Sequence, residues 1–240
     1  MKTCFNLRSY LDQPVYVFDI LSMLSELEDF IRCSEASIKA QKLREMGRAE
    51  QRAGHGVSSE DEASDYFEEI DAIRYKFDVL LPQRIRYAAL TALITTVDWV
   101  SVWVKTEASF EFPSKPKGRN QTIHVLTELN KKTSLDLTQE IQFLEKLVRI
   151  RNCIVHSAGL LTSYEHKDEI CRYLDEIHGL TCSDINKLDE ISIEIGSGFI
   201  EEVISQIRLW LPRSVGALAQ RGLLRKSWPP HSDSKYQSQT

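Results

Sequence analysis

The segment 147-LVRIRNCIVHSAG-159 carries the apolar pattern that predicts the fold and the polar residues best suited to chemistry. On a helix of about 100° per residue, its apolar side chains form one broad stripe. The members of this stripe are Leu144, Leu147, Val148, Ile150, Ile154 and Val155. We therefore expect a core helix that stops near Gly159, because glycine commonly follows the last turn of a helix.

Three polar residues of the segment lie on one side of the same helix. With Arg151 placed at 0°, Asn152 lies at about 100° and His156 at about 140°. An imidazole titrates near neutral pH and can move a proton, and a guanidinium binds phosphate oxygens through a planar set of donors. The three residues together suit phosphoester chemistry. An internal ion pair of Arg151, or a guanidinium that reaches solvent, would also explain an arginine among apolar residues.

The chain ahead of this helix reads as further helices. Apolar spacing predicts a first helix over 12–48, followed by a loop over 49–58. A second helix ends or kinks at Pro82. Its predicted apolar face consists of Phe67, Ile70, Ile73, Phe77 and Leu80. A third, more apolar helix forms the bundle centre, and Trp99 and Trp103 are expected in the core rather than as a base-stacking platform.

The chain beyond the motif helix completes an all-α fold. A helix is predicted over 163–178, and a last long helix is bent or broken at Pro212. Between them, isoleucines alternate with polar residues over 191–195, which predicts a strand hairpinned with 180–183. The predicted architecture is an up-and-down helical bundle with a small accessory β-hairpin before the last helix.

The sequence also predicts a division of the chain and its cellular location. We expect an N-terminal helix and loop over 1–58, the helical bundle over 59–222 and a disordered tail over 223–240. The start of the chain lacks the apolar stretch of a signal peptide. The apolar run 88–104 is interrupted by Asp98 and is better explained as a core helix than as a membrane span. With five scattered cysteines, we expect a cytoplasmic protein without a membrane partner.

Charge is unevenly distributed along the chain. The net charge of −5 argues against a generic nucleic-acid coat. A loop near the motif nevertheless carries Lys115, Lys117 and Arg119, either as an ordinary solvated loop or as a patch that guides phosphates. Arg149 offers a second, longer spacing to the motif histidine. These four cations are the candidate substrate-binding residues.

No metal or cofactor is expected. His166, His178, Glu165 and Glu169 lack the spacing of a metal-binding motif, and solvated helix faces explain them better. The cysteines show no paired spacing for zinc, and no glycine-rich phosphate loop is present.

The arrangement Arg151-Asn-x-x-x-His156, on a helix that then stops at Ser-Ala-Gly, resembles the Arg-x4-6-His motif of the HEPN superfamily. The resemblance extends over about 60–219. Members are helical bundles, usually dimeric, and many are metal-independent ribonucleases of toxin–antitoxin and anti-phage systems. A polar residue often follows the arginine, as Asn152 does here. The resemblance implies His156 as general acid or base, Arg151 as phosphate stabiliser, RNA as substrate, a homodimer, and a cognate antitoxin or regulatory protein as a further partner.

Two alternatives remain open. One is a non-catalytic helical module of the same kind that binds a nucleotide, RNA or a protein. The other is a purely structural protein in which Arg151 is paired internally. An exposed His156 beside Arg151 favours the enzyme, and an imidazole sealed in the core favours the module. Some members carry a tyrosine two residues after the histidine, a site of regulatory nucleotide transfer, but this chain has Ala158 there.

Overall fold

The computed structural model describes residues 15–53, 60–184 and 190–225, and its fold is all-α with one small hairpin. The elements in chain order are α1 (Val15–Ala53), α2 (Glu60–Arg74), a π-helical segment (Tyr75–Leu80), α3 (Leu81–Glu107), α4 (Gln121–Thr133), α5 (Thr138–Ser157), α6 (Lys167–Glu176), β1 (Leu180–Asp184), β2 (Ile191–Ile195) and α7 (Phe199–Gln220). The predicted fold class is confirmed, including the hairpin before the last helix.

The chain forms two compact units, each assembled from distant segments. The first unit comprises the described residues within Met1–Ser25, Leu93–Ile150 and Glu202–Thr240. The second, which we call the motif unit, comprises the described residues within Glu26–Ala92 and Arg151–Glu201. The division of the chain at 58 and 222 stays a prediction, and 226–240 lie outside the described residues.

The core of the first unit is built from five helices, including the start of α1, where Val17, Ile20 and Leu24 are buried. Its buried side chains include Val97, Val100 and Val104 of α3, Ile123, Leu126 and Leu129 of α4, Leu144, Leu147 and Ile150 of α5, and Val203, Ile207, Leu211 and Val215 of α7. The Asn120 carboxamide caps α4 by accepting hydrogen bonds from the backbone N–H of Thr122 at 2.8 Å and Ile123 at 3.3 Å. Trp103 is buried as predicted, whereas Trp99 is 41% exposed.

In the motif unit, the second half of α1 packs antiparallel to α2. Their shared core consists of Ile38, Ala49, Ile70, Ile73 and Phe77. The salt bridges Lys42–Asp78 and Arg52–Glu69 confirm the antiparallel direction. The later residue of α1 pairs with the earlier residue of the opposing helical segment. The predicted loop over 49–58 was wrong at its start, since buried Ala49 extends α1 to Ala53. The predicted core position of Phe67 was also wrong, because its ring is 63% exposed.

Pro82 neither ends nor breaks the helix that contains it. A proline in a helix has no N–H to donate, and its ring clashes with the carbonyl four residues earlier. Here the chain widens into a π-helix over Tyr75–Leu80, and the Leu81 N–H donates to the Lys76 carbonyl, five residues back. The helix therefore passes through Pro82 and continues as α3.

Two other helix predictions are corrected. The helix predicted over 163–178 is shorter, Lys167–Glu176, because the residues before it form turns, with the Tyr164 N–H donating to the Leu161 carbonyl at 3.2 Å. The last helix is not broken at Pro212 and runs through it to Gln220.

The hairpin pairs Leu180 with Ile195 and Asp184 with Ile191. On the edge of β2 that faces away from β1, the backbone forms hydrogen bonds with residues of α3 and of the segment that follows α5. Gln83 is buried, and its carboxamide accepts from the Ile195 N–H at 3.1 Å and donates to the Ile195 carbonyl at 2.9 Å. A side-chain amide thus replaces a neighbouring strand, which satisfies backbone groups that would otherwise be left open.

One stretch is long and apolar enough to cross a membrane. The continuous helical region Asp61–Glu107 contains an 18-residue window of mean hydropathy 1.4, of which 56% is buried within the protein. The buried core helix of a soluble protein can be equally long and equally apolar. The length and hydropathy of this stretch are therefore only weak evidence for a membrane span.

Candidate functional site

The three motif residues lie in the last two turns of α5, within the motif unit. Arg151 and Asn152 are half-buried and His156 is exposed. The side chains between them, Cys153 and Ile154, are buried and anchor the helix. The exposed imidazole makes no hydrogen bond within the described part of the chain. Of the two states that the sequence left open, the structure has His156 exposed rather than sealed in the core.

Helix α5 ends in a sharp turn that depends on glycine. Ala158 and Gly159 both adopt the left-handed conformation, with φ of 54° and 83°. The Gly159 N–H donates to the Cys153 carbonyl at 3.4 Å, and the Leu160 N–H donates to the Ser157 carbonyl at 2.9 Å. A Cβ on Gly159 would lie 2.4 Å from the Tyr87 hydroxyl oxygen, so a side chain has no room there.

The chain after this turn is hydrogen-bonded to the hairpin. The Ile193 N–H donates to the Gly159 carbonyl at 2.9 Å, and the Leu161 N–H donates to the Ile191 carbonyl at 2.8 Å. The Tyr87 hydroxyl, from α3, donates to the Ile193 carbonyl. The end of the motif helix is therefore held by a strand and a second helix, which gives His156 a fixed backbone position.

Burial raises the pKa of Tyr87 to about 12, and the nearby Cys153 thiol adds to the rise while Arg84 opposes it. Burial therefore favours the neutral phenol, which acts as a hydrogen-bond donor. Burial also raises the pKa of Cys153, whose sulfur lies 3.4 Å from the Ser157 hydroxyl. A buried, protonated thiol is a poor nucleophile, so Cys153 has a packing role.

The predicted binding residues lie in two different settings. Lys115 donates to the Arg119 carbonyl at 2.6 Å, and Arg119 donates to the Thr127 hydroxyl at 2.9 Å, so both stabilise their own loop in the first unit. Lys117 is exposed in the same loop. Arg149 is half-buried on α5, two residues before the motif arginine.

An open groove adjoins the motif helix and was not predicted from the sequence. Val155 was predicted within the apolar core stripe, but it is 51% exposed and lines this groove of about 500 Å³ against α3. The α3 wall contributes Arg84 and Tyr87, neither of which was predicted as a site residue. The available signal was the spacing of Arg84, Tyr87 and Thr91 along one face of an otherwise apolar helix.

Within the described ranges, no group of three His, Cys, Asp or Glu side chains is placed to bind a metal ion. Comparison with family models, curated proteins and solved structures finds no match to this chain.

Proposed function

We propose that the protein is a metal-independent endoribonuclease similar to the HEPN ribonucleases of toxin–antitoxin and anti-phage systems. The observation that carries the proposal is an exposed His156 on the same helix as the half-buried Arg151, at a helix end fixed by the hairpin. Accessibility of the imidazole supports proton transfer to a bound substrate, and a partly buried guanidinium has a stronger electrostatic effect than a fully solvated one.

RNA supplies its own nucleophile, so the chain needs to provide only proton transfer and charge stabilisation. The 2′-hydroxyl oxygen attacks phosphorus and loses its proton to a base, while the bond from phosphorus to the 5′-oxygen breaks and that oxygen gains a proton from an acid. The products are a 2′,3′-cyclic phosphate and a 5′-hydroxyl. His156 serves as base or acid, Arg151 stabilises charge on the phosphorane oxygens, and Asn152 orients the imidazole or the phosphate.

A single histidine supplies one of these two proton transfers. A homodimer with twofold symmetry would supply a second His156 to the same cleft. The side of α5 that carries Arg151, Asn152 and His156 is the face that would meet its symmetry mate. A cognate antitoxin or regulatory protein would then act by covering this cleft.

The decisive experiment is RNA cleavage by the wild type, His156→Ala and Arg151→Ala. Loss of an acid or base typically lowers the rate by about 10² to 10⁴. His178→Ala, at another exposed histidine of the motif unit, is the matched control and should keep the wild-type rate. Circular dichroism tests that each variant keeps its helical content.

Cleavage that survives His156→Ala would rule out this mechanism. RNA binding without cleavage by the wild type would support the non-catalytic module instead. Loss of helical content in both Arg151→Ala and His156→Ala would support a structural role for the pair.

A further inference from the structure

The groove beside α5 follows the face of the helix that carries the motif arginine. Its walls are Arg84, Tyr87, Ala88, Thr91 and Ala92 from α3, Ile154 and Val155 from α5, and Ala158 from the turn that follows α5. Ile154 and Val155 lie three and four positions after Arg151, and therefore share one helical face with it. Asn152 and His156 lie further round the same side of α5. The groove therefore lies beside the motif residues.

A smaller cavity of about 150 Å³ continues this groove toward the π-helical segment. Arg84, Tyr87 and Ala158 line both spaces, so they mark the junction. Arg84 is exposed, and within the described residues it forms neither a hydrogen bond nor a salt bridge. The Arg84 guanidinium therefore lies where the groove meets the smaller cavity, and the walls of both are mainly apolar.

The surroundings leave the charge of Arg84 available to a ligand. Tyr87, three residues further along the same wall, carries no charge at physiological pH. Glu194 is close enough to influence the phenol, yet among the described residues it forms no salt bridge with Arg84. In a chain of net charge −5, an uncompensated guanidinium over an apolar groove favours an anionic ligand that also has an apolar part.

We infer that this groove binds the nucleotide next to the scissile phosphate of single-stranded RNA, with the base against the apolar wall and its phosphate on Arg84. The inference rests on the proposed function and extends it from the reacting phosphate to the neighbouring nucleotide. A nucleobase has flat apolar faces, and a guanidinium matches phosphate oxygens through two parallel hydrogen bonds. A volume of about 500 Å³ is also typical of a small-ligand site.

The test measures RNA binding separately from cleavage. A short fluorescein-labelled single-stranded RNA is titrated by fluorescence anisotropy against His156→Ala protein, with and without Arg84→Ala, over a series of salt concentrations. Arg84→Ala should weaken binding about tenfold, the loss of one charged hydrogen-bonding partner. It should also reduce the slope of log K against log salt by about 0.7, the value for one phosphate contact on a single strand. Arg84→Lys should restore the slope.

Two further variants separate the base from the phosphate. Ala88→Phe fills the groove and should weaken binding while leaving the salt slope unchanged. Arg172→Ala and Ala72→Phe change exposed residues outside the groove and are the matched controls, so both should bind as the parent does.

The outcomes distinguish this inference from the proposed function. Unchanged affinity and slope in Arg84→Ala, together with RNA cleavage by the wild type, would overturn the groove assignment alone. Arg84-dependent binding without cleavage by the wild type would support the groove and refute the enzyme. Absence of RNA binding by the His156→Ala protein would overturn the groove assignment whatever the cleavage result.

Discussion

Replacing Gly159 by alanine tests how the motif helix is held in place. Gly159 has φ of 83°, and the left-handed region costs a residue with a Cβ about 1 to 2 kcal/mol. The new Cβ would lie 2.4 Å from the Tyr87 oxygen, so the phenol must move and leave the Ile193 carbonyl. Losing a buried hydrogen bond costs about 1 to 3 kcal/mol. We expect Gly159→Ala to lower the free energy of unfolding by about 2 to 5 kcal/mol in total.

Urea denaturation with linear extrapolation measures this change. Gly118→Ala is the matched control, because Gly118 has φ of 80° but a Cβ added there would meet nothing within 4 Å. In Gly118→Ala the free energy of unfolding should fall only by the cost of the left-handed backbone, about 1 to 2 kcal/mol. Equal losses in the two variants would refute the argument that Tyr87 packs against the helix end.

The site also makes three shorter predictions. Between pH 10 and 12 the wild type should lose up to about 2 to 3 kcal/mol more stability than Tyr87→Phe, because folding holds the phenol neutral and its pKa rises from 10.0 to about 12. Parallel stability curves for the two proteins would contradict the burial of a neutral phenol. Cleavage should persist in EDTA and leave 2′,3′-cyclic phosphate or 3′-phosphate ends with a 5′-hydroxyl, and products with a 5′-phosphate would contradict the proposed chemistry. Light scattering at micromolar concentration should give a homodimer, and a monomer that cleaves RNA would exclude the shared cleft.

Sequence reasoning predicts the helices and strands whose apolar pattern lies within a single element. The repeat of Leu144, Leu147 and Ile154 gives α5, and the alternation over 191–195 gives β2, because each pattern is complete within one element. The motif residues lie together for the same reason, since one helix carries them all. Their exposure depends on neighbouring elements, which local periodicity does not describe.

The rest of the site depends on long-range contacts. Tyr87 binds the carbonyl of a residue 106 positions later, and no local pattern encodes that pairing. Phe67 follows the apolar rhythm of α2 yet lies outside the shared core with α1, because the packed face is narrower than the apolar stripe. The proposed role of Arg84 follows only from the packing of α3 beside α5, because these helices form the two walls of one groove.

The π-helical segment restricts insertions and deletions between α2 and α3. A π-helical turn holds one more residue than an α-helical turn. Removing one residue from Tyr75–Leu80 would restore α-helical pairing but rotate α3 by about 100° relative to α2. Phe77 and Gln83 could not then both keep their present neighbours, the α1–α2 core and the edge of β2. A functional variant of this chain should therefore keep the number of residues between Phe77 and Gln83.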